Sequence, residues 1–298
     1  MEVTLRAGSA RAEIRPECGG TVDALFLVPE KGGEAVELLA GQPPKVRSGC
    51  EPGLFRGRLL APFCDRIPGG RYEFRGKAYE LPINDWENGD AIHGFLYEQP
   101  LEPSARSEGS LTLEHRSGDA FPGYPFSLEL HARYELEPSR FRLSLAARNC
   151  SNVPAPVSLG WHPYFRLPGV QRVDELRLEV PAERYIAVND RLLPTGELPP
   201  AAGTPWDFTS LREIGSSELD LGFPLEGSTV TLVGPSHSIS LKLFGAFRYC
   251  QLFVPPDRRS IAIEPISGAT NAFNRPELGL AVLEPGETIS GECEISLG

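Results

Sequence analysis

A chain of 298 residues that is 41% hydrophobic and 23% charged has the apolar content to fill a sizeable core and does not read as disordered. Its 40 Asp and Glu against 29 Lys and Arg leave a net charge of −11, which argues against nucleic acid and anionic membrane as partners, since both demand basic surface. With 31 Gly and 29 Pro spread along its length, the chain is punctuated for many short strands rather than for a helix bundle.

The N-terminal residues are charged throughout and show no apolar segment of the signal-peptide kind, so a cytoplasmic location is expected. Cysteines stand at 18, 50, 64, 150, 250 and 293 without any Cys-x-x-Cys, which removes zinc ribbons and thioredoxin-type motifs; all six are expected as reduced thiols. Leu111 and Leu113 mark a strand. Residues 128–136 then alternate apolar Leu128, Leu130, Ala132, Tyr134 and Leu136 with polar partners, and 141–147 repeat the pattern after a Glu-Pro-Ser break, an antiparallel hairpin. The uncharged stretch 149–165 is broken by prolines and cannot span a membrane. Residues 198–206 read as a long surface loop, and 209–214, behind Asp207, as the one short helical turn. Residues 229–233, 239–243 and 260–264 alternate again. The expectation is one domain over residues 1–298, all-β, an antiparallel two-sheet sandwich.

The glycine-rich nucleotide loops, His-Glu-x-x-His, Gly-x-Ser-x-Gly and Ser-x-x-Lys are all absent. Of five histidines, His131 lies on the polar phase of its strand, and His115 and His237 sit at strand ends. His93 and His162 differ. The first follows a loop-like Asn88-Gly89-Asp90 and precedes Gly94, which lets backbone or ligand approach closely. The second is set among Trp161, Tyr164 and Phe165. Glu264 closes the apolar run Ile261-Ala262-Ile263 ahead of an uncharged loop, a setting that desolvates a carboxylate and makes it mildly basic. Each of these, taken alone, also fits a satisfied structural residue.

Together and in order, Phe63-x-Asp65-Arg66-Ile67-x-Gly69, Ile92-His93-Gly94, His162-Pro163-Tyr164-Phe165, Leu219-Asp220 and Glu264-Pro265 resemble the aldose 1-epimerase (galactose mutarotase) family. The run from Tyr72 through Pro82 to Asn84 is similar to the family's following hairpin, Leu283-Glu284-Pro285-Gly286-Glu287 to its closing turn, and Gly19-Gly20-Thr21-Val22 more loosely to its first strand. The resemblance implies a galactose mutarotase-like supersandwich and a cofactor-independent, metal-free isomerase acting on a small-molecule sugar, as a monomer or homodimer. It implies Glu264 as general base, His162 as general acid, His93 as support for the acid, and Arg66 and Asp220 as sugar-binding residues; Asn84, which ends the matching hairpin, and Trp86, an aromatic face close in sequence to His93, are expected to bind the sugar with them. Asp65 departs from the family's usual Asn.

Interconverting α and β anomers needs one group to take the anomeric hydroxyl proton while another protonates the ring oxygen. That chemistry is expected to want Glu264 ionised and His162 protonated. Competing readings are a hexose-phosphate epimerase, which needs an extra Arg or Lys clamp, a non-catalytic sugar-binding protein, and a glycosidase or lyase with a second catalytic carboxylate.

Overall fold

The computed structural model describes residues 2–41, 50, 53–117 and 121–298. Strands dominate, and helix among the described residues is limited to short 3-10 turns. The predicted hairpin, Leu128–Glu137 with Arg140–Asn149, pairs without a register break and forms the middle of a nine-stranded sheet. Ser110–Arg116 and Glu102–Arg106 extend it on one side; Thr288–Leu297, Ser238–Gly245, Thr229–Val233, Arg177–Glu179 and Arg212–Glu213 extend it on the other. All these pairings are antiparallel, and the hairpin strands bury every second side chain as their alternation predicts.

A six-stranded sheet runs in the order Asp220–Pro224, Tyr249–Phe253, Ile261–Ile266, Gly160–His162 and Arg58–Leu60, with Tyr164–Phe165 as an additional partner of Ile261–Ile266. Its inner face meets the large sheet. Phe141 and Trp161 approach to 6.1 Å between ring centroids, and Leu221, Leu252 and Ile263 share one apolar cluster with Leu143 and Leu145. Burying each side chain of this size is worth about 1.5–3 kcal/mol, which holds the two sheets face to face. A four-stranded sheet from Val3–Ala7, Ala10–Arg15, Thr21–Leu27 and Val36–Glu37 packs on the same core. Tyr134 seals it there by donating its hydroxyl to the Gly20 carbonyl. Gly20 has φ +72°, and a Cβ on it would stand 2.3 Å from the Tyr134 oxygen, so only glycine admits this contact.

Three expectations need correction. Residues 209–214 form no helical turn: the Asp207 carboxylate accepts from the Thr209 amide and hydroxyl, and Arg212–Glu213 is drawn into the edge of the large sheet. The strand expected to end at Glu264 continues through Pro265 to Ile266. Cys18 and Cys50 are joined as a disulfide, Cα atoms 5.2 Å apart, leaving four free cysteines; a pair 32 residues apart with no local motif offers the sequence no signal. Among the described residues no helix is long and apolar enough to cross a membrane.

Candidate active site

Ile261–Ile266 lies inside its sheet and is buried at every position. Register sets Gln251 opposite both Glu264 and Gly222, and Phe253 opposite both Ala262 and Asp220. Side chains alternate along each strand, so Asp220, Gln251, Phe253 and Glu264 share the outer face while Leu221, Leu252 and Ile263 enter the core. On the other flank of Glu264 the ladder is interrupted at Pro163: Gly160 pairs with Ile266, and pairing resumes at Tyr164 with Ala262. His162 sits at this interruption, and its Nε2 stands 3.3 Å from Glu264 Oε1. Pro265, which has no amide hydrogen for a continuous ladder, is tolerated beside the same gap.

A second wall comes from residues 65–67 and 91–94. Arg66 pairs with Ile92, and the chain then turns at His93, φ +62°. Gly94 is required at the next position because a Cβ there would lie 2.1 Å from the Ala61 carbonyl oxygen, which accepts from the Phe95 and Leu96 amides. The close approach anticipated at Gly94 is thus made by backbone. His93 is locked by a reciprocal pair of bonds: its amide donates to Asp65 O, and the Asp65 amide donates to its Nδ1, both at 3.1 Å. Phe55 covers both histidines, edge-on to His93 at 4.5 Å and stacked on His162 at 6.4 Å, while Tyr164 stacks on the other side of His162 at 4.9 Å. The cleft enclosed by these groups holds about 530 Å³.

All seven residues singled out from the sequence line it. His93, His162 and Glu264 form the buried floor. Arg66 is held by Asp85 at 2.9 Å and Asp65 at 3.2 Å. Asp220 accepts from Gln251 Nε2 at 3.1 Å. Asn84 spends its amide within the fold, bonding the Ile92 backbone in both directions and the Tyr97 hydroxyl, so it fixes the strand leading to His93. Trp86 is 82% exposed at the rim. Phe55, Asp85, Gln251 and Thr270 escaped sequence reading, since neither spacing nor charge distinguishes them; Thr270 donates to Asp65, and Gln251 owes its place wholly to strand register.

Burial dominates the electrostatics. It pushes the Glu264 carboxyl well above its ordinary range, Asp65 and Asp220 add to the shift, and Arg66 only partly opposes it. Burial likewise holds His162 well below the usual imidazole value, aided by His93, and lowers His93 to about 3. Asp220 is raised to about 6 by burial and Asp65. Burial alone would weaken the Arg66 cation, but Asp65, Asp220 and Asp85 more than offset it. Contrary to the expectation of a carboxylate beside an imidazolium, the floor therefore favours a neutral pair, with one proton on Glu264.

The one three-ligand grouping among the described residues is this same floor, with donor atoms of His93, His162 and Glu264 within 4.8 Å of one another. It does not suit a metal. His93 Nδ1 already accepts an amide hydrogen, so the neutral ring carries its proton on Nε2 and neither nitrogen has a free lone pair.

The aldose 1-epimerase family model matches residues 1–296. The chain is 30% identical to the uncharacterized protein YihR of Escherichia coli over 236 residues, covering 78% of this chain and 75% of that protein. It is 28% identical to human galactose mutarotase over 222 residues, covering 70% and 63% respectively. The match thus spans less than two thirds of that mutarotase. Among solved structures, a GalM/aldose epimerase homologue from C. elegans superposes with a TM-score of 0.88 at 19% identity over 100% of this chain and 98% of that one. A galactose 1-epimerase from Lactobacillus acidophilus gives 0.81 at 22%, over 100% and 94%.

Proposed function

Because the chain belongs to the aldose 1-epimerase family, we propose that it interconverts the α and β anomers of a neutral aldose through the Glu264–His162 pair. One observation carries the reading: an imidazole nitrogen and a carboxylate oxygen stand 3.3 Å apart on a dry floor. The two oxygens that exchange a proton in mutarotation are bonded to the same carbon, so a pair this closely spaced reaches both. One member takes the proton from O1, the other delivers its proton to the ring oxygen, and the C1–O5 bond breaks to give the aldehyde. Rotation about C1–C2 and the reverse transfer close the ring on either face, and the pair ends with the proton count it began with. The family roles, Glu264 as base and His162 as acid, follow from the resting pair once its proton crosses to His162. His93 presents an Nε2–H to the sugar, and Arg66 and Asp220 hold its hydroxyls.

The substrate class follows from charge. Besides Glu264, four acidic residues, Asp65, Asp85, Glu87 and Asp220, line the cleft against Arg66, which two of them already hold. Among the described lining residues no cation is free to clamp a phosphate, which favours a neutral sugar over a hexose phosphate. A protein that only binds sugar would have no use for a buried acid–base pair. Polarimetry of freshly dissolved α-glucose, α-galactose and their 6-phosphates tests the reading. Faster mutarotation of a neutral aldose, with the phosphates poorer, is the expected result. Calorimetric binding of aldoses without any acceleration would replace it by the binding-protein reading.

A further inference from the structure

The two carboxylates that orient Arg66 are supported unequally. Asp65 is fixed from the fold's interior, by Thr270 through its side chain and by His93 through its backbone. Asp85 belongs to a turn of residues 85–90 whose Trp86, Glu87 and Gly89 are exposed. This turn is closed on itself. The Gly89 and Asp90 amides donate to the Asp85 carbonyl at 2.8 and 3.1 Å, and the Asp85 amide donates to the Asp90 carbonyl at 3.0 Å. Asn88 Nδ2 and Arg66 Nε donate to the same Asp85 oxygen, both at 2.9 Å, so a shift of the turn moves the group that aims Arg66. The turn is anchored at Asp90, whose Oδ1 accepts from the Gly69 amide and from Arg191 Nη2, each at 2.9 Å; the same Nη2 also donates to the Asn88 carbonyl at 3.1 Å. Arg191 arrives on an arm formed by residues 184–200. The Ile186 amide donates to the Gly222 carbonyl at 2.8 Å, which roots this arm on the strand that carries Asp220. At its tip Asn189 Oδ1 accepts from the Arg191 and Leu193 amides at 2.9 and 3.1 Å, and Leu192 is held at φ +60°, a conformation that a bulky side chain rarely takes. The tip is a specified turn that presents Arg191, not slack chain.

Resting on the mutarotase reading of the cleft, we propose that Arg191 is a positioning residue for sugar binding: it clasps the turn of residues 85–90 to the arm rooted on the Asp220 strand, and so fixes Asp85 and, through it, the aim of Arg66. An ion pair between two exposed side chains would be worth little. This one differs, because the Asp90 side chain is 0% exposed and its Oδ2 has no hydrogen-bond partner. Arg191 is the cation that meets this buried carboxylate, and its removal leaves the charge uncompensated at the base of the turn. Arg191 does not line the cleft, so it reaches the sugar only through the residues it holds. Glu264 and His162 are placed by strand pairing and His93 by its bonds to Asp65, none of them by a bond to this turn. The clasp therefore bears on affinity and not on proton transfer.

The test measures mutarotation kinetics on α-glucose and α-galactose, together with amide hydrogen exchange, in the wild type, Arg191→Ala, Arg191→Lys, Asp85→Ala and the double variant of Arg191→Ala with Asp85→Ala. Arg191→Ala should raise KM about tenfold with kcat kept, the scale of one hydrogen bond to a charged group. The Asp85, Gly89 and Asp90 amides should exchange faster in it, while those of Ile261–Ile266 keep their protection. Arg191→Lys, which keeps a charge beside Asp90, should recover part of both effects. Asp85→Ala should raise KM as well, and adding Arg191→Ala to it should cost far less than a further tenfold, because both act through one carboxylate. A wild-type KM in Arg191→Ala, or effects of the two substitutions that multiply in full, overturns the clasp and leaves the mutarotase reading standing. Faster exchange throughout the protein also overturns it, since that marks a purely structural role. A wild type that turns over neither sugar overturns the mutarotase reading itself and the clasp with it. The Arg191 side chain is 55% exposed, so its variants are expected to fold; should Arg191→Ala not do so, Arg191→Gln carries the same comparison.

Discussion

The nine-stranded and six-stranded sheets are built from the same antiparallel ladders, yet their strands carry charge under opposite conditions. Leu128–Glu137 and Arg140–Asn149 bury one face and leave Glu129, Arg133 and Arg142 towards water, where pairs such as Arg142 with Glu294 at 2.7 Å add little beyond solubility. Ile261–Ile266 has no wet face. Its outer side is roofed by Phe55, His93 and Tyr164, so the one carboxylate it carries is stripped of water and changed chemically. The sheet offers the proposed active site its platform because its second face is covered incompletely, leaving a dry recess rather than either solvent or core.

The sharpest break between the regions lies in what single substitutions do. Glu264→Gln keeps the size and hydrogen bonding of the side chain and removes its proton chemistry. Mutarotation should fall by about 10²–10⁴ in kcat with sugar affinity kept. His162→Asn should behave likewise, and the double variant should lose far less than the product of the two, because both act on one shared proton. Leu143→Ala, in the core under the large sheet, should do the reverse: a loss of about 2–5 kcal/mol in stability by denaturant titration, with kcat per folded molecule unchanged. A Glu264→Gln protein with near wild-type rates would remove the distinction.

The same contrast has a pH signature in stability. A carboxyl whose folded pKa lies above its unfolded one holds its proton longer in the native state, so stability falls as pH rises from the unfolded value towards the folded one. Glu264→Gln removes that loss. The variant should therefore gain on wild type in Tm progressively above about pH 4.5, with the difference vanishing in more acidic solution. His162 works from the other side, its lowered value costing stability as pH falls below the ordinary imidazole range. A Tm difference independent of pH would show Glu264 to be solvated. For activity, the opposed shifts of the pair push the two limbs of the kcat/KM profile apart. A broad neutral plateau is expected, with the acidic limb belonging to a second proton on the pair and the alkaline limb to loss of the only one. Asp220, raised to about 6, should superimpose a rise in KM below that pH which Asp220→Asn removes.

How much of this was legible follows from the same difference. Where one face is wet, alternation names the strand, and the hairpin of the large sheet could be read to within a residue or two. Where both faces are dry, alternation in sequence no longer reports a wet face: 260–264 alternates, yet Ile261–Ile266 is buried throughout, Glu264 stood out as the one charge in an apolar run, and the strand's continuation through Pro265 was hidden because proline ordinarily ends a central strand. Of the seven residues that were expected to bind or act on a sugar and that line the cleft, Trp86 was picked for its aromatic face near His93 and the others through motif resemblance, none by periodicity. Gln251 and Phe55 were not, because the first reaches the cleft by cross-strand register and the second by a loop whose course no local pattern records. The Cys18–Cys50 link was missed for the same reason.

The smallest predicted effect concerns the departure at Asp65. This residue has φ +54°, a conformation that Asn and Asp adopt more readily than other side chains, so Asp65→Asn should leave the turn intact. The amide oxygen can still accept from Thr270 or Arg66, which now hold the two carboxylate oxygens, and the backbone bonds to His93 do not involve the side chain. What changes is charge: after burial itself, Asp65 is the leading cause of the raised Glu264 carboxyl, and it is also a main support of the Arg66 cation. Neutralising it should lower the Glu264 value and bring the alkaline limb of kcat/KM to lower pH, while the mid-plateau rate changes by no more than about threefold, the scale of one partly compensated hydrogen bond. The acidic limb, which reports His162, should not move, because Asp65 is not among the groups that shift that ring. Measuring both limbs separates this from a general loss of structure, which would lower the plateau. A profile whose two limbs move together would show that Asp65 acts through the geometry of the cleft and not through its charge.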